Sequence, residues 1–354
     1  MSDAHPAKRA RIDEEDQGTS GPSSKPTEPT NYSRGEVWLD DGNVVLVAEG
    51  TAFRVLRSIL CSNSDVFRDM FTIPQPTDAE TWEGCPVVQL QDSKVDLVYV
   101  LRALFDSKNT DWFRYNHQAT FEAVSALLRL GTKYQIEHLR QDAINRLPAC
   151  FPSRLEDFAF AKPVEPPYGR WLYSNSSAMK TIPRPELSIA IVNLARSYDL
   201  LYLLPPAFYG CAYLPHFTLT HGFLDSDGHR WKLSQDDLNK CLSGAEQLRK
   251  ICADEHRRLF FAKPSALCDI KHQCTNLLEE ERQFLHDDDA PILAGRVSVL
   301  SDSSVMWFSS LDLCNDCVND FTFDHSEMRQ ETWCRLHAIF DLEIEWPPKA
   351  SGGL

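Results

Sequence analysis

The chain has 354 residues, which is enough for about two domains. Hydrophobic residues make up 43% of the sequence and charged residues 25%, as is typical of a globular protein with buried cores. The formal net charge of −15 argues against broad electrostatic capture of nucleic acid or of an anionic membrane surface, because both require a surplus of Lys and Arg.

The sequence also indicates a compartment. A run of about 18 apolar residues, as a transmembrane helix would need, is absent. The N-terminus lacks the apolar core of a secretory signal. We therefore expect an intracellular protein, in the cytoplasm, the nucleus or both. In that setting the eleven cysteines are expected to stay reduced, with metal binding open to some of them.

The N-terminal segment 1–34 is rich in Ser, Pro, Thr, Lys and acidic residues. Such a composition buries too little apolar surface to offset the entropy of ordering, so we predict a disordered tail. Lys8, Arg9 and Arg11 form a short basic group within it. That group indicates either a nuclear import signal or a solvated charge run.

The next elements are predicted to form a small sheet. A Val-rich strand at 44–48, a turn at 49–51 and a strand at 52–56 make a β-hairpin. The sequence VVQLQD at 87–92 adds a short third strand, because its apolar residues alternate with glutamines.

Helices are predicted around these strands. Residues 58–71 form two short helices, the second capped by Ser64, whose hydroxyl can accept an amide proton from the first turn. The sequence TFEAVSALLRLGTKYQIEHLRQDAINRL forms at least two more, with a break near 131–135. A further helix is predicted in VDLVYVLRALFD, whose apolar stripe comprises Val95, Val98, Leu101 and Phe105.

The second half of the chain is predicted to be mostly helical. Amphipathic spacing indicates a helix in ELSIAIVNLARSY, and a proline pair begins another in LLPPAFYGCAYL. A long helix follows Ser234, and two more are expected at 274–286 and 325–340. The large aromatic residues near the C-terminus are expected to pack this region rather than bind a ligand; they are Trp333, Phe340 and Trp346.

These elements predict an α+β domain with a short three-stranded sheet flanked by helices, followed by a mostly α-helical domain. The α+β domain spans 35–148, after the disordered tail. A linker with a proline-rich loop occupies 149–185. The helical domain spans 186–347, and a flexible tail occupies 348–354.

Five ordered blocks of sequence resemble the BTB/POZ domain. They are DGNVVLVAEGTAFRV, RSILCSNSDVFRDMF, CPVVQLQDS, VDLVYVLRALFD and LLRLGTKYQIEHLRQDAINRL. The resemblance covers roughly residues 35–148. More specifically, the sequence resembles a fungal, basidiomycete-type branch of the family, in which a helical C-terminal region follows the domain. It implies a protein–protein interaction module that acts by self-association or by adaptor and scaffold binding, and that is not an enzyme.

The resemblance also implies partners: a second copy of the chain, and a cullin scaffold if the protein is a substrate adaptor of a ubiquitin ligase. The candidate contact residues are Trp38 and Leu56. Leu56 stands where many BTB domains carry a histidine. The hydrophobic–x–Glu motif of cullin-binding members has no clean copy in TIPQPTDAETWEG. Four other apolar side chains are expected to be buried in the core of the single chain rather than in an interface: Phe53, Leu60, Phe67 and Phe71.

Two alternatives to a pure binding function lack a supporting sequence motif. A transcription-linked regulator has no zinc-finger or helix-turn-helix reader here. An enzyme with an unrecognised site in the helical domain has no P-loop, G-x-G-x-x-G, G-x-S-x-G or H-E-x-x-H string to support it. His216 and His221 are five residues apart, which does not place two imidazoles on one helical face, so we predict a surface loop there.

Four cysteines near the C-terminus form the remaining candidate site. Cys314 and Cys317 make a C-x-x-C turn, in which two thiolates can converge on one tetrahedral ion, and Cys268 and Cys274 can supply a second pair. The five-residue gap of that second pair departs from a standard zinc knuckle. The hypothesis is a structural zinc ion, and the alternatives are buried free thiols or a disulfide. No other cofactor is expected.

Overall fold

The computed structural model describes six stretches of the chain: residues 32–74, 79–105, 119–158, 184–286, 299–300 and 311–348. The basic group at 8–11, most of the predicted tail at 1–34 and nearly all of the proline-rich loop lie outside these stretches. Among the residues described, no helix combines the length and apolar character needed to cross a membrane.

A five-stranded sheet forms the N-terminal part of the fold. Its strands are β1 (Ser33–Trp38), β2 (Val44–Ala48), β3 (Thr51–Val55), β4 (Thr81–Trp82) and β5 (Cys85–Leu90). The spatial order is β1-β3-β2-β5-β4, with β2 antiparallel to β3 and parallel to β5.

The expected three strands are the centre of this sheet, and the expected strand count was too low. β1 and β4 add an edge on either side. β1 begins at Ser33, inside the segment predicted as a tail, and half of its residues are exposed, so its sequence carries little alternation. β4 has only two residues. Strands of this kind are specified by the neighbour they pair with, rather than by a local apolar pattern.

The hairpin prediction is confirmed, and its turn has a local cause. Glu49 and Gly50 both have positive φ angles, 47° and 74°, between β2 and β3. Two consecutive residues with positive φ are the mark of a type I′ turn, whose twist matches that of the strands on either side. Glycine adopts this conformation at no steric cost.

Five helices pack around the sheet: α1 (Arg57–Asn63), α2 (Asp65–Thr72), α3 (Lys94–Phe105), α4 (Phe121–Lys133) and α5 (Glu137–Arg146). Ser64 caps α2 as predicted, because its Oγ accepts a 3.0 Å hydrogen bond from the Phe67 N–H. The predicted stripe of α3 is partly wrong: its apolar residues that are fully buried are Leu97, Val100 and Leu101. Val95, Val98 and Phe105 are only half-buried.

The C-terminal part is helical, as predicted. Its helices are α6 (Leu187–Ser197), α7 (Leu204–Cys211), α8 (His216–His221), α9 (Gln235–Phe260), α10 (Lys271–His286), α11 (Asn315–Cys334) and α12 (Leu336–Ile339). A two-stranded ribbon of β6 (Phe223–Leu224) and β7 (Arg230–Trp231) follows α8.

Two expectations for this part were wrong. The histidines at 216 and 221 lie in the short helix α8 instead of a loop. The last long helix, α11, begins at Asn315 rather than at 325. Its first turns are rich in Asn and Asp, which are weak helix formers in water. Packing of Cys317 and Val318 against neighbouring side chains stabilises the helix there.

One apolar core runs from the sheet through α4 into the helical part. The Phe121 ring at the start of α4 meets the Trp231 ring of β7, with 6.0 Å between centroids. Further along, Phe158 packs against Trp333 at 4.9 Å. The expectation for the C-terminal aromatic residues is confirmed, since the buried set includes Trp333, Phe340 and Trp346.

Candidate functional site

The sheet has a second apolar face, on the side away from the main core. Four buried residues form it: Val45, Val47, Ala52 and Cys85. Three half-buried aromatic side chains cover them: Tyr32, Trp38 and Trp82. Trp82 meets both of the others edge to face, at 5.6 Å from Tyr32 and 5.3 Å from Trp38. We call these three residues the aromatic cover.

The first predicted contact residue, Trp38, belongs to this cover. It ends β1 and is half-buried. The Arg34 guanidinium lies 4.6 Å from the centroid of its ring, which is cation–π distance. Part of the indole is therefore used within the chain, and the remaining part is open to solvent.

The second predicted contact residue, Leu56, immediately precedes α1 and is half-buried. Beside it, the Arg57 guanidinium donates to the Phe71 carbonyl at 2.7 Å and covers the Phe71 ring at 5.1 Å. Ile73, just after α2, is 62% exposed. This end of the domain thus carries accessible apolar surface around two short helices.

Most of the large apolar residues in the segment 53–71 pack in the core of the single chain. Phe53, Leu60 and Phe67 are fully buried, as predicted. Phe71 was assigned to the core but is only half-buried, stacked on Phe67 at 6.1 Å. It lies at the edge of the core, next to the last residue of α2, Thr72.

A charged cluster joins the two parts of the molecule, and sequence reasoning missed it. Asp96 of α3 pairs with Arg129 of α4, and Arg129 in turn lies 5.6 Å from the Trp231 ring. Asp225 accepts a 2.8 Å hydrogen bond from the Trp231 indole N–H. Partial desolvation and the nearby carboxylates of Glu122 and Asp225 raise the pKa of Asp227. Arg129 follows Ser125 by four positions on α4, and nothing in this spacing predicts a contact between the two parts of the chain.

The histidines of α8 do not form a site. Both side chains are exposed, and His221 stacks on the ring of Phe217 at 4.3 Å. The Thr220 hydroxyl lies 2.8 Å from His221 Nδ1. These contacts stabilise a surface helix.

The four cysteines, in contrast, come together. The Sγ atoms of Cys268, Cys274, Cys314 and Cys317 all lie within 4.8 Å of one another. Elsewhere in the described stretches, no group of three or more His, Cys, Asp or Glu residues converges in this way. We call these four residues the cysteine cluster.

Two helix N-termini build the cysteine cluster. Cys274 lies in the first turn of α10 and Cys268 in the turn before it. Cys317 lies in the first turn of α11, and Cys314 is the residue that precedes this helix. Three of the four side chains are buried, and Cys314 is half-buried. His272, which the sequence places between the first pair, is exposed and outside the cluster.

Backbone amides point at the sulfurs. The Ser265 N–H donates to Cys317 Sγ at 3.2 Å, and the Cys314 N–H donates to Cys274 Sγ at 3.4 Å. A hydrogen bond from the Cys317 backbone N–H lowers the pKa of the Cys314 thiol. Burial raises the pKa of the Cys268 and Cys317 thiols. Such N–H donors stabilise thiolate and support a bound metal ion.

Comparison with known proteins addresses the N-terminal part. Residues 40–149 match the family model of the BTB/POZ domain. This range holds four of the five strands and all five helices α1 to α5. A search of curated proteins finds no match to the chain. Residues 40–149 of this chain are therefore a BTB/POZ domain, a protein–protein interaction module, joined to a mostly helical C-terminal part.

Proposed function

We propose that this chain works by protein association without catalytic turnover, and that its BTB/POZ domain holds a second copy of the chain. The observation that supports this is the family match over 40–149 on a fold of a small sheet flanked by helices. Association is therefore the function that this part supports best.

The proposed contact surface is the end of the domain that carries Trp38, Leu56 and Ile73. Burial of apolar surface drives most protein association. Half-buried aromatic and aliphatic side chains can be covered further at a small cost in ordering entropy, because contacts within the chain already restrain them. Trp38 is held by Trp82 and Arg34. Leu56 is held at its backbone, since its carbonyl accepts a 3.3 Å hydrogen bond from the Leu60 N–H of α1.

Light scattering coupled to size-exclusion chromatography of the full chain tests this proposal. The wild type is expected to have twice the mass of one chain. Leu56→Asp places a charge in the interface and is expected to yield single chains. Phe217→Asp is the matched control, since Phe217 is 71% exposed in the helical part, and it should leave the dimer intact.

Folding of each variant is checked by far-UV circular dichroism, because Leu56 also lies beside α1. A wild type that stays monomeric as its concentration rises would contradict self-association. A folded Leu56→Asp chain that dimerises as well as the wild type would exclude this surface as the interface.

Two narrower roles follow from the domain alone and stay predictions: adaptor of a cullin-type ubiquitin ligase, and transcription-linked regulator. The first lacks its hydrophobic–x–Glu motif in TIPQPTDAETWEG. The fungal affinity of the sequence blocks is a prediction of the same kind. Capture of a cullin scaffold by the tagged chain, in a fixed ratio, would support the adaptor role, whereas repeated absence of cullin at high expression would contradict it.

A further inference from the structure

We propose that the cysteine cluster binds one structural zinc ion through Cys268, Cys274, Cys314 and Cys317, and that this ion joins the N-termini of α10 and α11. The proposal is independent of dimer formation by the BTB/POZ domain. It assigns a metal site to the helical part of the chain.

The sulfur positions fit a tetrahedral ion. Zn–S bonds of about 2.3 Å separate the sulfurs of a tetrahedral site by about 3.8 Å. Here the four sulfurs lie within 4.8 Å of one another, and those of Cys268 and Cys314 are 3.6 Å apart. A disulfide would need about 2.05 Å. The four sulfurs thus surround one central point, as the ligands of a metal ion do. They are not arranged as two disulfide pairs.

The unusual spacing of the first pair is resolved by the fold. A standard knuckle places both thiolates in one tight turn. Here Cys268 lies in a turn closed by its own N–H to the Ser265 carbonyl at 3.1 Å. The chain then enters α10, and Cys274 points back from the first helical turn toward the same place. A gap of five residues therefore reaches one ion because half of the pair is helical.

Electrostatics at this point favour the negative charge of a tetrathiolate site. Four thiolates and one Zn²⁺ leave a net charge of about −2, from the ligand and ion charges. The N-terminus of a helix carries partial positive charge, and both α10 and α11 begin at the cluster. The two amide donors described above add hydrogen bonds to Cys274 and Cys317.

The apolar core around the cysteine cluster is small. The buried residues of this satellite core are Ala262, Cys268, Cys274, Leu278, Leu313 and Cys317. Three of these six are ligand cysteines, and the set is separate from the main core. Small cores of this kind usually need a metal or a disulfide for stability. A zinc ion would link Cys268 to Cys314 across 46 positions of sequence.

Zinc is the metal that we assign to this ligand set. Four thiolates in tetrahedral geometry suit zinc or iron, whereas calcium and magnesium require oxygen ligands. The two metals are distinguished directly by elemental analysis. Iron in place of zinc would overturn the assignment.

The test is metal analysis of the full chain, purified with zinc in the medium and then dialysed. One zinc per chain is expected for the wild type. The double variant Cys314→Ser/Cys317→Ser removes the α11 pair and is expected to lose the zinc. Cys334→Ser is the matched control: Cys334 also lies on α11 but outside the cluster, and it should keep one zinc per chain.

A second readout does not depend on any variant folding. Cobalt exchanged into the wild-type chain is expected to give the intense thiolate charge-transfer and tetrahedral ligand-field absorption bands of a tetrathiolate site. Absence of stoichiometric zinc together with absence of these bands would overturn the proposal. Zinc retained at full occupancy in the folded double variant would overturn it as well.

Discussion

The Arg129 guanidinium binds the Asp96 carboxylate through two hydrogen bonds of 2.8 and 2.6 Å. Asp96 is buried on α3 and Arg129 lies on α4, so the pair joins two helices of the BTB/POZ domain. The same guanidinium lies 5.6 Å from the Trp231 ring of β7. A single side chain thus contacts both the BTB/POZ domain and the helical part.

Arg129→Met should destabilise the protein strongly. The substitution keeps much of the side-chain volume but leaves the buried Asp96 without its cation, which typically costs about 3 kcal/mol in the free energy of unfolding. Arg102→Met is the control, since its pair with Glu36 is exposed and should contribute less than about 1 kcal/mol. Denaturant unfolding measures both. Equal losses for the two variants would contradict the central role of Arg129.

Asp227→Asn should stabilise the protein at neutral pH. The pKa of Asp227 is raised in the folded state, so the folded state binds the proton more tightly than the unfolded state does. The wild type therefore loses stability as pH rises from the ordinary range of an aspartate through the raised pKa. The amide has no such charge, so its advantage should grow with pH across this window and vanish below it.

Thermal unfolding of the wild type and Asp227→Asn at a series of pH values measures this difference. Asp40→Asn is the control, because Asp40 is exposed and lies in the connection between β1 and β2. Parallel pH profiles for the wild type and Asp227→Asn would contradict the raised pKa that burial and the neighbouring carboxylates give Asp227.

Gly244→Ala should destabilise the protein although it lies inside the helix α9. Alanine is usually favoured over glycine in a helix by about 1 kcal/mol. A Cβ at this position, however, would overlap the ring of Phe340, which is fully buried. Overpacking of this kind costs roughly 1–3 kcal/mol. Ser243→Ala, at an exposed neighbouring position, should be neutral or slightly stabilising in the same denaturant experiment.

Removal of the proposed zinc ion should lower the stability of the helical part. A strong chelator at neutral pH is expected to release the ion by competing for it. Acidification is expected to release it as well, because metal binding requires deprotonated thiols. The melting temperature of the wild type should then fall by several degrees. The Cys314→Ser/Cys317→Ser chain should melt at the lowered temperature with or without chelator. A wild-type melting temperature that chelator leaves unchanged would show that the ion does not stabilise the fold.

Local patterns were enough for the hairpin, the Ser64 cap and most helices. A turn with Gly50 at positive φ and a hydroxyl three residues before an amide act within a few residues, so they can be read in one dimension. The combined order of the blocks was also sufficient for the BTB/POZ domain at 40–149. The core positions of Phe53, Leu60 and Phe67 were expected together with that resemblance, and all three are fully buried.

Contacts between distant residues were decided only by the tertiary structure. Edge strand β1 depends on its pairing with β3, and the Asp96–Arg129 pair spans 33 positions. Cys268 and Cys314 are 46 positions apart, and their approach depends on where α10 and α11 begin. Sequence spacing describes neighbours along the chain, whereas packing free energy selects which distant surfaces meet. The sequence is therefore sufficient to predict the BTB/POZ domain and to identify the four cysteines as candidates. Only the tertiary structure brings the four sulfur atoms together.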